Sequence, residues 1–212
     1  MRIGLGCMRL STERDRDEAR GLATVRAALD AGVRVLDTAH AYGVDQGDVG
    51  HNERLIARAL EGHPEAARDV RIITKCGMRR DAGAWVPDGR ARCIAEDVEG
   101  SVAALGGLPI DLLLLHAPDP RISLATTARA LMRAQAKGLA ARIGVSNVSR
   151  KQLEEIAAVA PIAAVEVALG AYDDLAIRSG VVAYCLERGT ASTLARARCS
   201  ARARRTRRWP AR

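Results

Sequence analysis

Short apolar runs alternate with amphipathic segments of helix length along most of this chain, and this alternation restricts the folds open to it. The apolar runs have strand length and lie at residues 3–5, 33–36, 70–74, 110–115, 141–145 and 163–167. The intervening segments repeat apolar residues with helical periodicity, and the last of them, residues 175–188, ends before Gly189, a residue type that terminates helices. Because a parallel connection needs a crossover of about a dozen residues, the pattern predicts six βα units around a parallel sheet.

The composition excludes several classes of protein. Apolar residues make up 48% of the 212 residues, which is enough to bury a core and argues against a disordered or fibrous chain. The longest apolar run, residues 110–117, contains Asp111 and is far shorter than the roughly 18 residues of a membrane-spanning helix. The five cysteines are scattered without a C-x-x-C pair, which argues against a disulfide framework and a zinc site. With no signal-peptide pattern, these features predict a soluble, cytoplasmic protein without a metal or a membrane partner.

Two architectures fit a parallel sheet of this kind, an open doubly wound sheet and a closed barrel. A dinucleotide-binding open sheet calls for G-x-G-x-x-G after its first strand, but Arg9 stands where the third glycine belongs, after Gly4 and Gly6. In a (β/α) barrel, functional residues lie at the carboxyl ends of several strands. The residues that occupy these ends here are Asp37, Lys75, His116, Ser146 and Asn147. We therefore predict an α/β fold, with a parallel sheet closed as a (β/α) barrel and about six βα units present.

Six short motifs add a more specific signal. They read GLGCM at 4–8, LDTAHAYG at 36–43, NERLI at 52–56, TK at 74–75, LLLH at 113–116 and IGVSN at 143–147. In this order and at this spacing they resemble the aldo-keto reductase family, whose members are (β/α)8 barrels that use a nicotinamide cofactor without a Rossmann fold. The resemblance extends over residues 1–189. It implies a parallel (β/α)8 barrel of the TIM type that is incomplete, with about six βα units present and the last strands missing.

The resemblance implies an oxidoreductase that transfers hydride between NADP(H) and a small aldehyde, ketone or alcohol. Carbonyl reduction needs a proton donor within hydrogen-bond reach of the oxygen, and Tyr42 is the candidate. A free phenol has a pKa of about 10, so a neighbouring cation is useful to stabilise the phenolate that is left behind. Lys75 supplies that cation in this interpretation, with Asp37 ion-paired to it. His116 then orients the carbonyl and shares in stabilising the developing oxyanion.

Further residues are candidates for the cofactor and substrate sites. The resemblance implies that Ser146, Asn147 and Glu166 contact the carboxamide of the nicotinamide. Glu166 stands where the family commonly has glutamine, and a carboxylate accepts a hydrogen bond from the amide nitrogen but cannot donate to its oxygen. Trp85 lies in a long loop after the third strand, where it either walls the substrate pocket or covers the loop.

The surplus positive charge is confined to the end of the chain. The net charge is +8, yet residues 190–212 hold eight arginines and no acid, so that 25 basic and 25 acidic residues balance over residues 1–189. No strand or capped helix is convincing in residues 190–212. We therefore expect a partial barrel over residues 1–189, followed by an Arg/Ala-rich tail that is disordered or translated out of frame. On this interpretation the barrel is incomplete, and the chain is not expected to be a robust reductase by itself.

Two other functions remain open at this stage. A non-catalytic barrel that binds the cofactor or acts as a scaffold would have the same fold. A nucleic-acid-binding protein would use the arginines of residues 190–212, but the charge lies in one terminal stretch rather than on a face of the fold, which disfavours this alternative. The expected partner is a small carbonyl or alcohol substrate, and the sequence leaves the oligomeric state open.

Overall fold

A computed structural model describes residues 3–170 and 173–196, the last five of these by backbone alone. Its main sheet has seven parallel strands. They are β1 (Leu5–Gly6), β2 (Val35–Asp37), β3 (Arg71–Cys76), β6 (Leu112–Leu115), β7 (Ile143–Ser146), β8 (Ala164–Leu169) and β9 (Ala191–Arg196). A separate antiparallel hairpin follows β3 and is formed by β4 (Met78–Asp81) and β5 (Ala84–Pro87).

The seven strands of the main sheet lie side by side in the order in which they occur in the chain. A doubly wound sheet reverses its strand order at a switch point, whereas the strands of a (β/α) barrel follow one another around the axis. Consecutive parallel pairing from β1 to β9 therefore confirms the barrel type of fold and excludes the open, doubly wound sheet.

Helices connect the strands and cover one face of the sheet. They are α1 (Glu18–Asp30), α2 (His51–Glu61), α3 (Pro64–Asp69), α4 (Ala91–Ala104), α5 (Leu124–Ala136), α6 (Arg150–Ala157), α7 (Leu175–Arg178) and α8 (Val181–Arg188). Side chains such as Ile56 of α2, Ile94 of α4 and Leu131 of α5 pack into one continuous core with the outward side chains of the strands. This core accounts for the helical periodicity of the sequence.

The opposite face of the sheet, which corresponds to the barrel interior, holds a smaller apolar cluster. It contains Ile73 of β3, Leu112 and Leu114 of β6, and Ala164 of β8. Gly144 of β7 fits beside them only because it lacks a side chain, since a Cβ there would lie 2.6 Å from Leu114 Cδ2 and 2.4 Å from the oxygen of Ala164. Both faces of the strands are therefore apolar, which explains why the strands read as continuous apolar runs.

The structure corrects three expectations from the sequence. The long loop after the third strand is a hairpin. Its two-residue turn, Ala82 and Gly83, has positive φ angles of 46° and 85°, and the sequence lacks the Asn-Gly pair that is typical of such turns. The single helix expected over residues 175–188 is divided at Gly180, which adopts a left-handed conformation with φ 76°. Finally, residues 191–196 form a strand, β9, in the segment where the sequence predicted none.

Strand β9 extends the sheet by one strand beyond those that the sequence predicts. Six consecutive residues of β8, from Ala164 to Leu169, pair in parallel with Ala191 to Arg196. Because hydrogen bonds between backbone groups hold β9 against β8, a segment without a marked apolar run can form this strand. The remainder of the basic segment expected to be disordered or out of frame, residues 197–212, lies outside the described residues.

Candidate active site

A layer of polar side chains lies directly above the interior apolar cluster, at the carboxyl ends of the strands. Side chains two residues apart on a strand point to the same face. The interior residues Val35, Ile73, Leu114, Gly144 and Ala164 are thus followed on the same face by the polar ones. We call these the strand-end layer, which consists of Asp37, Lys75, His116, Ser146 and Glu166.

Lys75 is the centre of the strand-end layer. Its side chain is only 1% exposed, and its ammonium contacts the Asp37 carboxylate, the backbone oxygen of Thr38 at 3.0 Å and the hydroxyl of Tyr42 at 3.3 Å. Burial disfavours the charged form, but the surrounding Asp37, Tyr42 and Glu166 outweigh it and raise the pKa of Lys75. Lys75 is therefore a buried cation held between oxygen atoms.

Tyr42 lies in the loop after β2 and is buried. Its hydroxyl receives a hydrogen bond from Lys75, whose Nζ is also 5.1 Å from the centre of the tyrosine ring. Burial raises the pKa of Tyr42 to about 12, while Lys75 opposes the rise. The phenol is therefore protonated at neutral pH and can donate its proton.

His116 follows β6 and packs edge-on against Tyr42, with ring centres 5.5 Å apart and planes at 81°. Burial, assisted by the Lys75 charge, lowers the pKa of His116 to about 3. Its ring is therefore neutral at physiological pH and carries one N–H donor. The Nδ1 atom is buried and has no hydrogen-bond partner among the described residues.

Three candidate residues lie at the ends of β7 and β8. Ser146 and Glu166 are buried and directly opposite each other in the register of the two strands. Asn147 adopts φ 56°, and its side-chain amide donates to the backbone oxygen of His116 at 2.9 Å and to Ser146 Oγ at 3.1 Å. Burial raises the pKa of Glu166 to about 7, although Lys75 opposes the rise. The three side chains thus share one end of the sheet with the strand-end layer.

Trp85 lies on β5 of the hairpin, and its ring is 5.9 Å from that of Tyr42 and 5.8 Å from that of His116. Arg80, directly opposite on β4, stacks its guanidinium 3.8 Å from the Trp85 ring centre. Arg80 also donates to the backbone oxygen of Val44 at 3.1 Å, and its own amide donates to Gln46. The hairpin is therefore tied to the loop that carries Tyr42, and it places Trp85 beside the rings of Tyr42 and His116.

The sequence model of the Aldo/keto reductase family matches residues 2–196. This chain belongs to the aldo/keto reductase family. The family's match ends at the last residue of β9, seven residues beyond the resemblance seen in the sequence.

Individual family members agree with this assignment. Aldo-keto reductase YhdN of Bacillus subtilis (strain 168) is 34% identical over 164 residues, which cover 76% of this chain and 47% of that protein. A 6-dehydroglucose reductase of Agrobacterium fabrum is 33% identical over 153 residues, covering 69% of this chain and 50% of that protein. The chain thus spans about half the length of the curated relatives that it matches.

Solved structures of the family have the same fold. The glycerol dehydrogenase of Gluconobacter oxydans superposes with a TM-score of 0.78 at 27% identity, over 90% of this chain and 58% of that one. The holo form of an aldo-keto reductase from Bacillus halodurans gives a TM-score of 0.76 at 25% identity, over 91% of this chain and 60% of that one. The strand-end layer therefore lies on a family barrel scaffold.

A second group of buried polar residues in this aldo-keto reductase chain was not recognised as functional from the sequence. Asn52 of α2 accepts a hydrogen bond from Thr38 and donates to Cys7 O and Ser11 Oγ, at 2.7–2.9 Å. The neighbouring Glu53 accepts from Thr74 Oγ1 at 2.5 Å and lies 3.4 Å from His40 Nδ1. We call these residues the α2 network, which consists of Ser11, Thr38, His40, Asn52, Glu53 and Thr74.

The α2 network holds the segment that leads to Tyr42, because Thr38 and His40 belong to that segment. A sequence signal for it does exist. Asn52 and Glu53 precede Ile56 and Leu60 at helical spacing, so both lie toward the apolar face of α2, where a polar residue needs a partner.

Neither a metal-binding cluster nor a membrane-spanning helix is present in the described part of the chain. Residues 3–170 and 173–196 contain no group of three His, Cys, Asp or Glu side chains arranged to hold a metal ion. No helix in the same ranges has the length and apolar character required to cross a membrane.

Proposed function

We propose that this chain carries the catalytic end of an NADP(H)-dependent reductase that acts on small aldehydes or ketones, with the alcohol as substrate in the reverse direction. The observation that carries the proposal is the contact between the buried Lys75 ammonium and the Tyr42 hydroxyl, at 3.3 Å. A phenol beside a fixed cation is suited to give up a proton, because the cation stabilises the phenolate.

Each residue of the site has a defined task in this proposal. Tyr42 donates its proton to the carbonyl oxygen, and Lys75, held by Asp37, stabilises the resulting phenolate. Neutral His116 donates an N–H to the same oxygen and orients the carbonyl without adding a charge. Trp85 forms the wall of the substrate pocket, where its aromatic face excludes water.

The ends of β7 and β8 fit the amide group of a nicotinamide cofactor. A primary amide carries two N–H donors and one acceptor oxygen. The buried Glu166 Oε2 is an acceptor without a hydrogen-bond partner among the described residues, and the Asn147 side chain is exposed at the adjacent strand end. Ser146, Asn147 and Glu166 would hold this group. The cofactor supplies the hydride when bound, whereas Tyr42 supplies the proton and Lys75 stabilises the phenolate that is left behind.

The preference for NADP(H) rests on family likeness. A solved relative from Klebsiella pneumoniae, 21% identical and with a TM-score of 0.72, is described as a complex with NADP and acetate. The named activities of the relatives, such as 6-dehydroglucose reductase, point to small polar carbonyl compounds. A cytoplasmic location remains a prediction from the sequence.

Turnover and cofactor binding by the purified chain test this proposal. The chain is incubated with NADPH or NADH and a series of small aldehydes, and oxidation of the cofactor is followed by absorbance. Cofactor binding is measured separately by calorimetry. Turnover by this chain is expected to be slow, and Tyr42→Phe should lower it by about 10²- to 10⁴-fold, the usual contribution of a general acid, with cofactor binding retained.

Tyr184→Phe is the matched control, because Tyr184 is a buried tyrosine of α8 that stacks on Arg150 and Arg188. Its turnover should equal that of the unmodified chain. Equal turnover in Tyr42→Phe and Tyr184→Phe, or absence of cofactor binding by the unmodified chain, would contradict the proposal.

A further inference from the structure

The Lys75 ammonium has more acceptors around it than it has hydrogen atoms. A lysine side chain carries three N–H donors. Four oxygens lie within reach of Lys75 Nζ, namely Asp37 Oδ1, the backbone oxygen of Thr38 at 3.0 Å, Tyr42 Oη at 3.3 Å and Glu166 Oε1 at 3.3 Å. Asp37 and Thr38 make the two closest contacts. Tyr42 and Glu166, at equal distances, are left with one N–H between them.

Among the described residues, Lys75 is the donor that the structure places beside the Glu166 side chain, whereas the neighbouring Asp37 carboxylate can only share a proton with it. It is 6% exposed, and its Oε2 atom has no hydrogen-bond partner among the described residues. A buried carboxylate without a donor is costly, so it either gains the lysine N–H or binds a proton.

The groups that face Glu166 from the neighbouring elements define its electrostatics. Lys75 of β3 is the nearby cation, and Asp37 of β2 is a second carboxylate. Tyr42 belongs to the loop after β2. The strands on either side of β8 place Ser146 and Thr193 opposite Glu166 in register, and neither residue type is titratable in the ordinary pH range. One cation thus faces two carboxylates.

We propose that Glu166 is a positioning residue that competes with Tyr42 for the third N–H of Lys75, and that the protonation state of Glu166 decides which oxygen receives it. When Glu166 holds a proton, the N–H points to Tyr42. When Glu166 is ionised, it takes the N–H and adds a negative charge near the phenol. The proton that Glu166 loses or gains is exchanged with solvent, and no covalent step is involved.

The kinetic consequence rests on the proposed function. A phenolate at Tyr42 is stabilised less well when Glu166 is ionised, because the lysine donor is withdrawn and a like charge is added. Carbonyl reduction should therefore slow as the pH rises through the titration of Glu166, near pH 7. Glu166→Gln should remove this decline of turnover with pH, because the side-chain amide of glutamine does not ionise.

Carboxyl ¹³C NMR of the chain labelled at the glutamate side chains tests the competition without cofactor or substrate. The Glu166 resonance is assigned by its absence in Glu166→Gln. We expect it to titrate near pH 7, well above the ordinary glutamate value of about 4.3.

Two variants then report on the contacts. Tyr42→Phe removes the competitor and should lower the Glu166 midpoint by about 0.5 to 1 pH unit, the equivalent of one hydrogen bond. Lys75→Met removes the cation at similar volume and should raise the midpoint by about one unit or more. A Glu166 midpoint in the ordinary glutamate range, or one that does not fall in Tyr42→Phe, would overturn the proposal.

The pH profile of turnover distinguishes this proposal from the proposed function. If turnover declines above neutral pH in the unmodified chain and in Glu155→Gln but not in Glu166→Gln, both proposals are supported. If the NMR midpoints behave as expected but no variant turns over, the proposed function fails and the competition for the lysine N–H stands. If turnover occurs with the same pH profile in Glu166→Gln, the competition has no kinetic effect and the present proposal fails.

Discussion

Two groups of mostly buried polar residues contact the Tyr42 segment, and they differ in how many of their polar atoms have hydrogen-bond partners. In the α2 network, Asn52 and Glu53 find partners for their side-chain oxygens and nitrogens within the fold. In the strand-end layer, His116 Nδ1 and Glu166 Oε2 have no partner among the described residues. The hydrogen bonds of the first group are satisfied within the fold, as expected of residues that stabilise it, whereas the unpartnered atoms of the second group are the ones to which our proposed function assigns substrate and cofactor.

Removing Glu53 should give the largest loss of stability. Glu53→Ala leaves the buried Thr74 hydroxyl and the His40 ring without their shared acceptor, at an expected cost of about 3 to 5 kcal/mol in the free energy of unfolding. Urea denaturation measures this value.

Glu53→Gln is the matched variant, because it retains an oxygen acceptor for Thr74, and it should lose about 1 kcal/mol. Equal losses in the alanine and glutamine variants would show that packing, rather than the hydrogen bonds of the α2 network, is what Glu53 contributes.

Replacing His116 should increase the stability of the fold rather than lower it. His116→Phe removes a buried imidazole that has an unpartnered nitrogen, so we expect a gain in the free energy of unfolding of about 1 kcal/mol at pH 7. The pKa of His116 falls from 6.5 to about 3 on folding, so the native state binds fewer protons than the unfolded state between these values.

The unmodified chain should therefore lose stability as the pH falls below 6.5, and His116 contributes up to about 1.4 kcal/mol of this loss per pH unit. His116→Phe should not show this contribution. Urea denaturation of both proteins at pH 7 and pH 5 measures the difference. If the gain from His116→Phe were equal at the two pH values, His116 would not be buried as a neutral ring.

A loss of similar magnitude concerns one hydrogen bond of the α2 network. Thr38→Val keeps the side-chain shape but removes the hydroxyl that donates to Asn52 Oδ1 at 2.7 Å, and we expect a loss of about 1 kcal/mol. Thr24→Val, on the exposed face of α1, is the control and should change stability by less than about 0.5 kcal/mol. If Thr38→Val lost no more stability than this control, the hydrogen bond between Thr38 and Asn52 would not stabilise the fold.

The sequence predicts the strand-end layer well, because two simple rules determine it. Parallel strands bring their carboxyl ends to the same side, and side chains two residues apart share a face. The apolar runs ending near Asp37, Lys75 and His116 therefore indicate both the sheet and the residues above it. Their proposed tasks remain proposals, whereas the family and the barrel type of fold are confirmed.

Features that depend on contacts between distant segments are harder to predict. The hairpin turns at Ala82 and Gly83 without the usual asparagine, and β9 is formed by backbone pairing with β8 rather than by an apolar run of its own. The ion-pair position of Glu166 depends on the distance between β3 and β8 across the interior, which no local pattern encodes. These features are decided by tertiary packing.

The position of Trp85 gives the chain an internal optical reporter. Trp85 is one of two tryptophans in the sequence, and its ring lies close to the Arg80 guanidinium and to the rings of Tyr42 and His116. Because the hairpin is tied to the Tyr42 segment through Val44 and Gln46, displacement of that segment alters the surroundings of the indole. With the second tryptophan replaced by Trp209→Phe, the emission of Trp85 would record events at the Tyr42 hydroxyl without any label.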